Sequence, residues 1–360
     1  MRAIPTSQLT PGMTLGKDVY THNDQLILPV GTILTDKAIT KLAFYSIPFI
    51  YIKKNEPLVI NEEDMEPEES YSRKVKASPE FQRFNLEFQS DVAKFRSALN
   101  DVVERNAPLD INELLEDTLA LLDHTHGTIH IFDILHNMRH YDDQTYAHSI
   151  NVALICNVLA TWLEMSQEDI WLATQCGLFH DIGKLRIPDM IIKKPARLTN
   201  QEYNVIKTHA VEGYNILQRC QVNSHVANAA LLHHERCDST GYPFGLSSAQ
   251  IDPFAKIVAI ADVYDAMTSA RVYRGPLCPF TVIAMFENEG IQRYDAKFVL
   301  TFMENVLNTY ILNRVLLSDG RKGEVVLINR HALSRPLVRC GTDYVDLSQE
   351  PNSLAIQAII

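Results

Sequence analysis

The residues of this chain that could do chemistry together are five histidines and two aspartates, which lie in or beside apolar helical segments. They are His148, His180, Asp181, His209, His233, His234 and Asp262. Hydrogen bonding alone would not satisfy so many buried imidazoles and carboxylates. Divalent cations would, because neutral imidazoles and carboxylates are their ligands and the ion offsets buried negative charge. These residues therefore predict a metal centre.

Mixed nitrogen and oxygen ligands suit iron, manganese or zinc, and one carboxylate can bridge two ions. Two bridged ions can activate water at neutral pH and clamp a phosphate for in-line attack. The adjacent pair His180 and Asp181 follows an apolar run, and Lys184 comes three residues after the aspartate. This grouping indicates hydrolysis of a phosphate ester.

Helices must position these residues, because the central part of the chain is almost entirely helical in pattern. Thr199 and Glu202 predict a capping box at the start of one helix. Asp252 followed by Pro253 predicts an N-cap with proline in the first turn of another. The sequence thus predicts a helical bundle whose ligands share one interior.

Smaller units flank this bundle. In the N-terminal unit, DQLILPVGTILT predicts two short strands around Val30-Gly31, DKAITKLAFYSI a helix and PFIYIKK a further strand. The segment NEEDMEPEES, with six acids in ten residues, is typical of a solvated linker. From Arg314 onward, short strand patterns joined by DG and GTD turns predict a small β unit.

Composition excludes several classes of protein. A net charge of −11 over 360 residues argues against binding to a nucleic acid polymer, which needs a basic surface. No apolar stretch is long enough to span a bilayer, and the N-terminus lacks the apolar core of a signal peptide. The six cysteines are scattered without a CxxC pair, as in a protein with reduced thiols. We therefore predict a cytoplasmic protein.

Two motifs carry a resemblance to a known family. HDIGK, with an upstream histidine and a downstream aspartate, resembles the HD superfamily of metal-dependent phosphohydrolases. HHERCDSTGYP resembles its HD-GYP subfamily, bacterial phosphodiesterases of cyclic di-GMP. The resemblance runs from about Asp142 to Leu300 and includes KPARLTNQEY, GYPFGL, IADVYDAMTSARVYR and YDAKFV.

The resemblance implies a mainly α protein with an HD-type all-helical catalytic bundle. The residue patterns on either side add a small N-terminal α+β unit and a small C-terminal β unit. The domain boundaries that we predict are 1–55 for the α+β unit, 56–115 for the acidic linker and a helix, 116–313 for the HD-GYP catalytic domain and 314–360 for the β unit. The reaction implied is metal-dependent hydrolysis of cyclic di-GMP to linear pGpG, with further cleavage to GMP as an extension.

The resemblance also implies a role for each matching residue. The ligands of one metal ion would be His148, His180, Asp181 and Asp262, with Asp181 bridging to the second ion. The other ligands of that second ion would be His209, His233 and His234. Lys184 would contact a phosphate oxygen and stabilise its charge. The remaining substrate contacts would come from Gly241, Tyr242, Pro243, Arg271 and Arg274.

Two positions depart from the family pattern. Members with a third metal carry a glutamate four residues before the first histidine, and Gln144 stands there in this chain. Asp265, the other third-site ligand, is present. We therefore expect two divalent ions, iron or manganese, and an incomplete third site. Ser239 replaces a more usual glycine before TGYP, with an expected change in loop conformation.

Several alternatives stay open from the sequence. The protein could be a catalytically weak cyclic di-GMP receptor that signals through partners, or a phosphodiesterase of another cyclic dinucleotide such as cyclic GMP-AMP. The flanking units could mediate homodimerisation or contacts with signalling proteins. A second histidine-rich segment, DHTHGTIHIFDILHNMRH, is interpreted as a packing or dimerisation element rather than as a metal site.

Overall fold

The structure is a computed structural model in which the chain is mainly α-helical, as the sequence predicts, with small β structures at both ends. It describes residues 2–6, 9, 12–20, 26–35, 38–39, 41–42, 47, 49–53, 71–125, 131–138, 144–192, 194, 198–268 and 277–360. Arg271, Arg274 and the whole acidic segment NEEDMEPEES lie outside the described residues.

The α-helices follow one another from residue 71 to residue 308. In chain order they are α1 Tyr71–Ala77, α2 Pro79–Arg105, α3 Ile111–Ala120, α4 Ile131–Asn137, α5 Gln144–Trp162, α6 Gln167–Phe179, α7 Asp189–Ile192, α8 Asn200–Lys207, α9 His209–Arg219, α10 Ser224–Leu232, α11 Pro253–Thr268, α12 Pro279–Met285 and α13 Ala296–Asn308. Short 3-10 turns cover Leu121–Thr125, Ile182–Arg186, Ser248–Gln250 and Leu347–Gln349, and a π turn covers Phe286–Gly290.

Helix starts follow the local chemistry of the sequence. The predicted capping box is confirmed, since the Thr199 hydroxyl accepts from the Glu202 amide and the Glu202 carboxylate accepts from the Thr199 amide. The Asp252 carboxylate accepts from the amide two residues on, at the start of α11. Ser78 caps the long helix α2 in the same way, with Pro79 in its first turn.

Helix α2 buries a single apolar face because its large side chains recur every three or four residues. They are Phe81, Phe84, Phe88, Val92, Phe95, Leu99, Val102 and Val103. The helix ends where Asn106 takes a left-handed conformation, with φ of 52°. The buried face joins the hydrophobic core that also surrounds the candidate ligands.

The N-terminal unit has its own hydrophobic cluster. Strand β1 (Arg2–Pro5) pairs antiparallel with β4 (Phe49–Ile52), and β2 (Val19–Tyr20) pairs antiparallel with β3 (Leu26–Leu28). The second strand predicted after Val30-Gly31 is reduced to an isolated bridge between Thr14 and Ile33. The neighbouring residue Leu15 bridges to Ile52 of β4 instead.

The C-terminal strands form one antiparallel sheet, as the hairpin patterns predict. Its strands are β5 (Arg314–Leu317), β6 (Lys322–Leu327), β7 (Leu337–Cys340), β8 (Asp343–Asp346) and β9 (Ile356–Ile359), in the order β8-β7-β6-β5-β9. Gly320 and Gly341 supply the positive φ values, 88° and 63°, of the two hairpin turns.

The sheet shares its hydrophobic core with the helices. Val315, Leu317 and Val325 belong to the same cluster of buried residues as α5, α6 and α11. The Glu287 carboxylate also accepts from the amides of Leu333 (2.5 Å) and Ser334 (3.0 Å). The domain boundaries stay predictions. Among the described residues, no helix combines the length and the apolar character that crossing a bilayer requires.

Candidate metal centre

The predicted ligands converge from five helices. His148 lies on α5, His180 and Asp181 directly follow α6, His209 begins α9, His233 and His234 follow α10, and Asp262 lies on α11. Four of these side chains, His180, Asp181, His209 and His233, are at most 2% exposed. The structure therefore brings the whole predicted ligand set to one interior point.

A close backbone approach joins two of these segments. A Cβ placed on Gly183 would lie 1.9 Å from the carbonyl oxygen of His209 and 2.5 Å from the amide nitrogen of Gly213. No side chain larger than hydrogen fits there. The glycine of HDIGK therefore lets the turn Ile182–Arg186 lie directly on the backbone of α9, which sets Asp181 beside His209.

The donor atoms fall into three groups, and in each the atoms lie within 4.8 Å of one another. The groups are His148, His180 and Asp262; His180, Asp181 and His233; and His209, His233 and His234. Asp181 lies between the group of His148, His180 and Asp262 and the group of His209, His233 and His234. Its Oδ2 is 3.3 Å from His180 Nε2, and its Oδ1 is 3.5 Å from His209 Nε2.

Hydrogen bonds orient three of the rings toward the centre. The Nδ1 atoms of His180, His209 and His233 lie 2.7, 2.6 and 3.0 Å from the backbone carbonyl three residues earlier. Because carbonyls only accept, each Nδ1 carries the proton and each Nε2 presents a lone pair. His180 Nε2 and Asp181 Oδ1 are buried without a hydrogen-bond partner. Lone pairs and a carboxylate oxygen left in this way fit divalent cations.

Comparison with known proteins identifies the fold family. A family model described as HD domain matches residues 111–298, which is more than half of the chain. The chain belongs to the HD domain family. This HD domain contains every described residue of the predicted centre.

Curated relatives resemble the HD domain and its surroundings. Cyclic di-GMP phosphodiesterase PA4108 of Pseudomonas aeruginosa is 38% identical over 200 residues, which are 55% of this chain and 48% of that protein. The 3'3'-cGAMP-specific phosphodiesterase 1 of Vibrio cholerae is 38% identical over 170 residues, 47% of this chain and 39% of that protein. A cyclic di-GMP phosphodiesterase of Thermotoga maritima is 38% identical over 151 residues, 41% of this chain and 40% of that protein. The chain thus spans about half, or less, of each relative's length.

Burial keeps the donor group of His209, His233 and His234 uncharged. It lowers the pKa of His233 to about 3, and it also lowers the pKa of His209 and of His234. Three neutral imidazoles are ready to act as ligands without losing a proton.

On the other side of the centre, His148 and Asp181 are charged. Burial alone would lower the pKa of His148, but hydrogen bonds with Asp262 and Asp265 raise it to about 9. Burial would likewise raise the pKa of Asp181, yet the Lys184 ammonium holds it well below its usual range. The Lys184 ammonium lies 2.5 Å from Asp181 Oδ2. Without a metal, Asp181 is therefore ionised and His148 is protonated at neutral pH.

Asp265, predicted as a ligand of a third metal, lies behind His148 in the HD domain. Its Oδ2 is 2.6 Å from His148 Nδ1, and its Oδ1 accepts a hydrogen bond at 3.0 Å from the side-chain Nδ2 of Asn151. A carboxylate on the far nitrogen of a histidine is typical of a residue that orients a metal ligand. The side chain of Gln144, at the first position of α5, lies outside the described residues.

The loop after His234 packs against the centre. Tyr242 stacks on the His234 ring with centroids 4.6 Å apart and planes at 27°. Gly241 is required by close approach, because a Cβ there would lie 2.4 Å from Glu235 Cα and from the Arg236 amide nitrogen. Pro243 follows through a cis peptide bond.

Glu235 is a residue that the sequence analysis missed. Its side chain is buried, and its carboxylate accepts from the amides of Phe244 (2.7 Å), Gly245 (3.1 Å) and Leu246 (2.9 Å). It therefore anchors the segment that directly follows Gly241, Tyr242 and Pro243, the three residues of the GYP loop. An acid directly after the ligand pair, in HHER, was the available signal. Ser239, in the same loop, has φ of 63°, where a glycine would be unstrained.

The second histidine-rich segment is described in part. His136 on α4 is partly buried, and burial lowers its pKa to about 4. It belongs to none of the donor groups found in the described residues. His126, His130 and His140 lie outside those residues, as does the side chain of His124, so the interpretation of this segment stays a prediction.

Proposed function

We propose that this protein is a metal-dependent phosphodiesterase that hydrolyses cyclic di-GMP to linear pGpG. The observation that carries the proposal is the position of Asp181, a buried carboxylate whose two oxygens face two different groups of histidines. Membership of the HD domain family and the 38% identity with proteins named cyclic di-GMP phosphodiesterases supply the substrate class.

We propose that one ion is held by His148, His180, Asp181 and Asp262, and the other by Asp181, His209, His233 and His234. The donor set suits iron or manganese, which accept imidazole and carboxylate together. When bound, two such ions would activate water for attack and offset the charge of the phosphate. Because Asp265 is engaged with His148 and Asn151, we propose two ions rather than three.

The chain's own residues supply orientation and charge. Lys184 places its ammonium beside Asp181, where it can bind a non-bridging oxygen of the scissile phosphate. Asp265 holds His148 with its Nε2 toward Asp262. Gly241, Tyr242 and Pro243 are proposed to contact the substrate beside the metals, and Arg271 and Arg274 are proposed to bind phosphate or guanine. With two ions we propose pGpG, not GMP, as the main product.

One set of reactions tests this function. The protein is purified anaerobically, its metal content is measured, and cyclic di-GMP and pGpG are followed by chromatography with manganese or iron supplied. We expect about two ions per chain and accumulation of pGpG, both lost in Asp181→Ala. Wild-type protein that carries its ions and cleaves no cyclic dinucleotide would refute the proposal.

A second candidate is hydrolysis of 3'3'-cGAMP. It is favoured by the relative of that specificity in Vibrio cholerae, which is 38% identical to this chain. The metal ligands and Lys184 are proposed to act on the phosphate, which both substrates share, so they do not distinguish the bases. Comparing kcat/KM for the two dinucleotides in the same assay decides between them, and tight binding without turnover would favour the receptor alternative.

The cellular location, the oligomeric state and the protein partners are also proposals. All six cysteines are free thiols, which agrees with a reducing, cytoplasmic environment. A homodimer and contacts with signalling proteins stay predictions, and light scattering of the purified chain tests the dimer.

A further inference from the structure

The ring of Tyr242 has one face already covered. Its stacking on His234 takes the side toward the metal ligands. A substrate base therefore cannot stack on that face of Tyr242, which limits how the ring can contact a substrate. What lies near the rest of the ring decides what the loop can bind.

Lys207 lies beside that ring. Its ammonium is 5.8 Å from the Tyr242 centroid and 5.1 Å from the Tyr203 centroid. Ammonium groups at this distance are attracted to the negative face of an aromatic ring. Two rings thus hold the end of a long side chain that would otherwise sample many rotamers.

Lys207 has no carboxylate partner among the ion pairs of the described part of the chain, whereas Lys184 contacts Asp181. Aromatic rings leave all three N–H donors of an ammonium without a strong acceptor. Lys207 is also the last residue of α8, two positions before His209. A positive group with free donors is therefore fixed next to the histidine-rich side of the centre.

The two ammonium groups lie near different members of the ligand set. Lys184 contacts Asp181, and Lys207 lies over the Tyr242 ring, which stacks on His234. A cyclic dinucleotide carries two phosphates, of which one is cleaved while the other only binds. An interaction that is equal in ground state and transition state lowers KM without raising kcat.

We propose that Lys207, held by Tyr203 and Tyr242, binds the phosphate of the cyclic dinucleotide that is not cleaved. This inference rests on the proposed function and adds a determinant of specificity. Lys207 would distinguish a substrate with two phosphates from an ordinary phosphodiester with one. Helix α8 alone would explain a lysine at its C-terminal end, but not the placement of its ammonium against the GYP loop.

The test compares two substrates and three variants. Cyclic di-GMP and bis(4-nitrophenyl) phosphate, which has a single phosphate, are assayed with manganese for wild type, Lys207→Ala, Lys207→Arg and Lys17→Ala. Lys17 is the matched control, because its ammonium lies 4.2 Å from the Tyr51 ring in the separate N-terminal unit.

We expect Lys207→Ala to raise KM for cyclic di-GMP about 10-fold, as loss of one hydrogen-bonded charge does, with a much smaller change in kcat. The effect on bis(4-nitrophenyl) phosphate should be several-fold smaller. Lys207→Arg should recover most of the loss, and Lys17→Ala should leave both substrates unaffected.

Two results would overturn the inference. An unchanged KM for cyclic di-GMP in Lys207→Ala would show that the ammonium does not contact the substrate. Equal losses on both substrates would show that the residue acts through His209 instead. If wild type cleaves the small diester but neither cleaves nor binds any cyclic dinucleotide, the proposed function fails and this inference fails with it.

Discussion

Replacing Glu235 with glutamine should release the loop that carries Tyr242. The carboxylate accepts three backbone amides from the loop, two on Oε1 and one on Oε2. Glutamine offers one oxygen and one NH2 group, so at least one loop amide faces a donor. The carboxylate charge that strengthened the other bonds is also lost.

The size of the effect follows from these bonds. A hydrogen bond to a charged group contributes about 1.5–3 kcal/mol, and a buried amide left without an acceptor costs about 1–3 kcal/mol. We therefore expect the free energy of unfolding of Glu235→Gln to fall by about 2–4 kcal/mol. For a domain of roughly 200 residues this lowers Tm by about 5–10 °C.

Thermal unfolding of the metal-loaded protein measures this change, and Glu202→Gln is the matched control. Glu202 is a partly exposed acid at a helix start whose oxygen accepts from the Thr199 amide. Glu202 also pairs with Lys194 at 2.6 Å, and both side chains are partly exposed. A glutamine there can still accept the Thr199 bond and loses only that ion pair, so its cost should stay below about 1 kcal/mol.

Turnover should show a second effect of the same change. Because Tyr242 would lose its position on His234, KM for cyclic di-GMP should rise in Glu235→Gln while metal content is retained. Equal Tm values for Glu235→Gln and wild type would refute the reasoning, since they would mean that the buried carboxylate does not hold the loop.

Three further outcomes are expected. Gly183→Ala should lower both the metal content and the stability of the protein, because the added methyl group would overlap the His209 carbonyl. Normal metal content by elemental analysis would contradict this prediction. Ser239→Gly should raise the free energy of unfolding by about 1 kcal/mol, since φ of 63° costs a non-glycine residue that much, and an unchanged or lower value in denaturant titration would count against it. In the metal-free protein, the pKa of His148 is about 9 and exceeds its unfolded value of about 6.5. Its contribution to stability is therefore complete below about pH 6.5 and is lost as the pH rises through about 9. Calorimetry should show that fall in wild type and a weaker one in His148→Gln, and equal pH dependence would be the contrary result.

The helical fold and the ligand set could be predicted because both depend on local residue patterns. Ser78, Thr199 and Asp252 begin helices through bonds to amides two or three residues on, which a sequence displays directly. The ligands could be found because buried histidines and aspartates need an unusual partner. Their order along the chain added the family resemblance.

Other features depend on contacts between distant segments and were not predictable. The role of Glu235 requires knowing that the chain returns ten residues later with its amides facing the carboxylate. The partner of Asp265 is His148, 117 residues away, so the aspartate could as well have faced a third ion. In the sequence, Lys207 is an ordinary lysine at the end of a helix. Its contact with Tyr242 is visible only in the structure.

The shared core of helices and sheet has a consequence for how the chain can be divided. The family match ends at residue 298, but Val315, Leu317 and Val325 are fully buried with the helices. A fragment cut at residue 313 would expose apolar surface on the helical side and leave Glu287 without its two amides. The C-terminal sheet therefore cannot be removed without exposing the helical core, and a shortened protein made to test the proposed activity has to retain it.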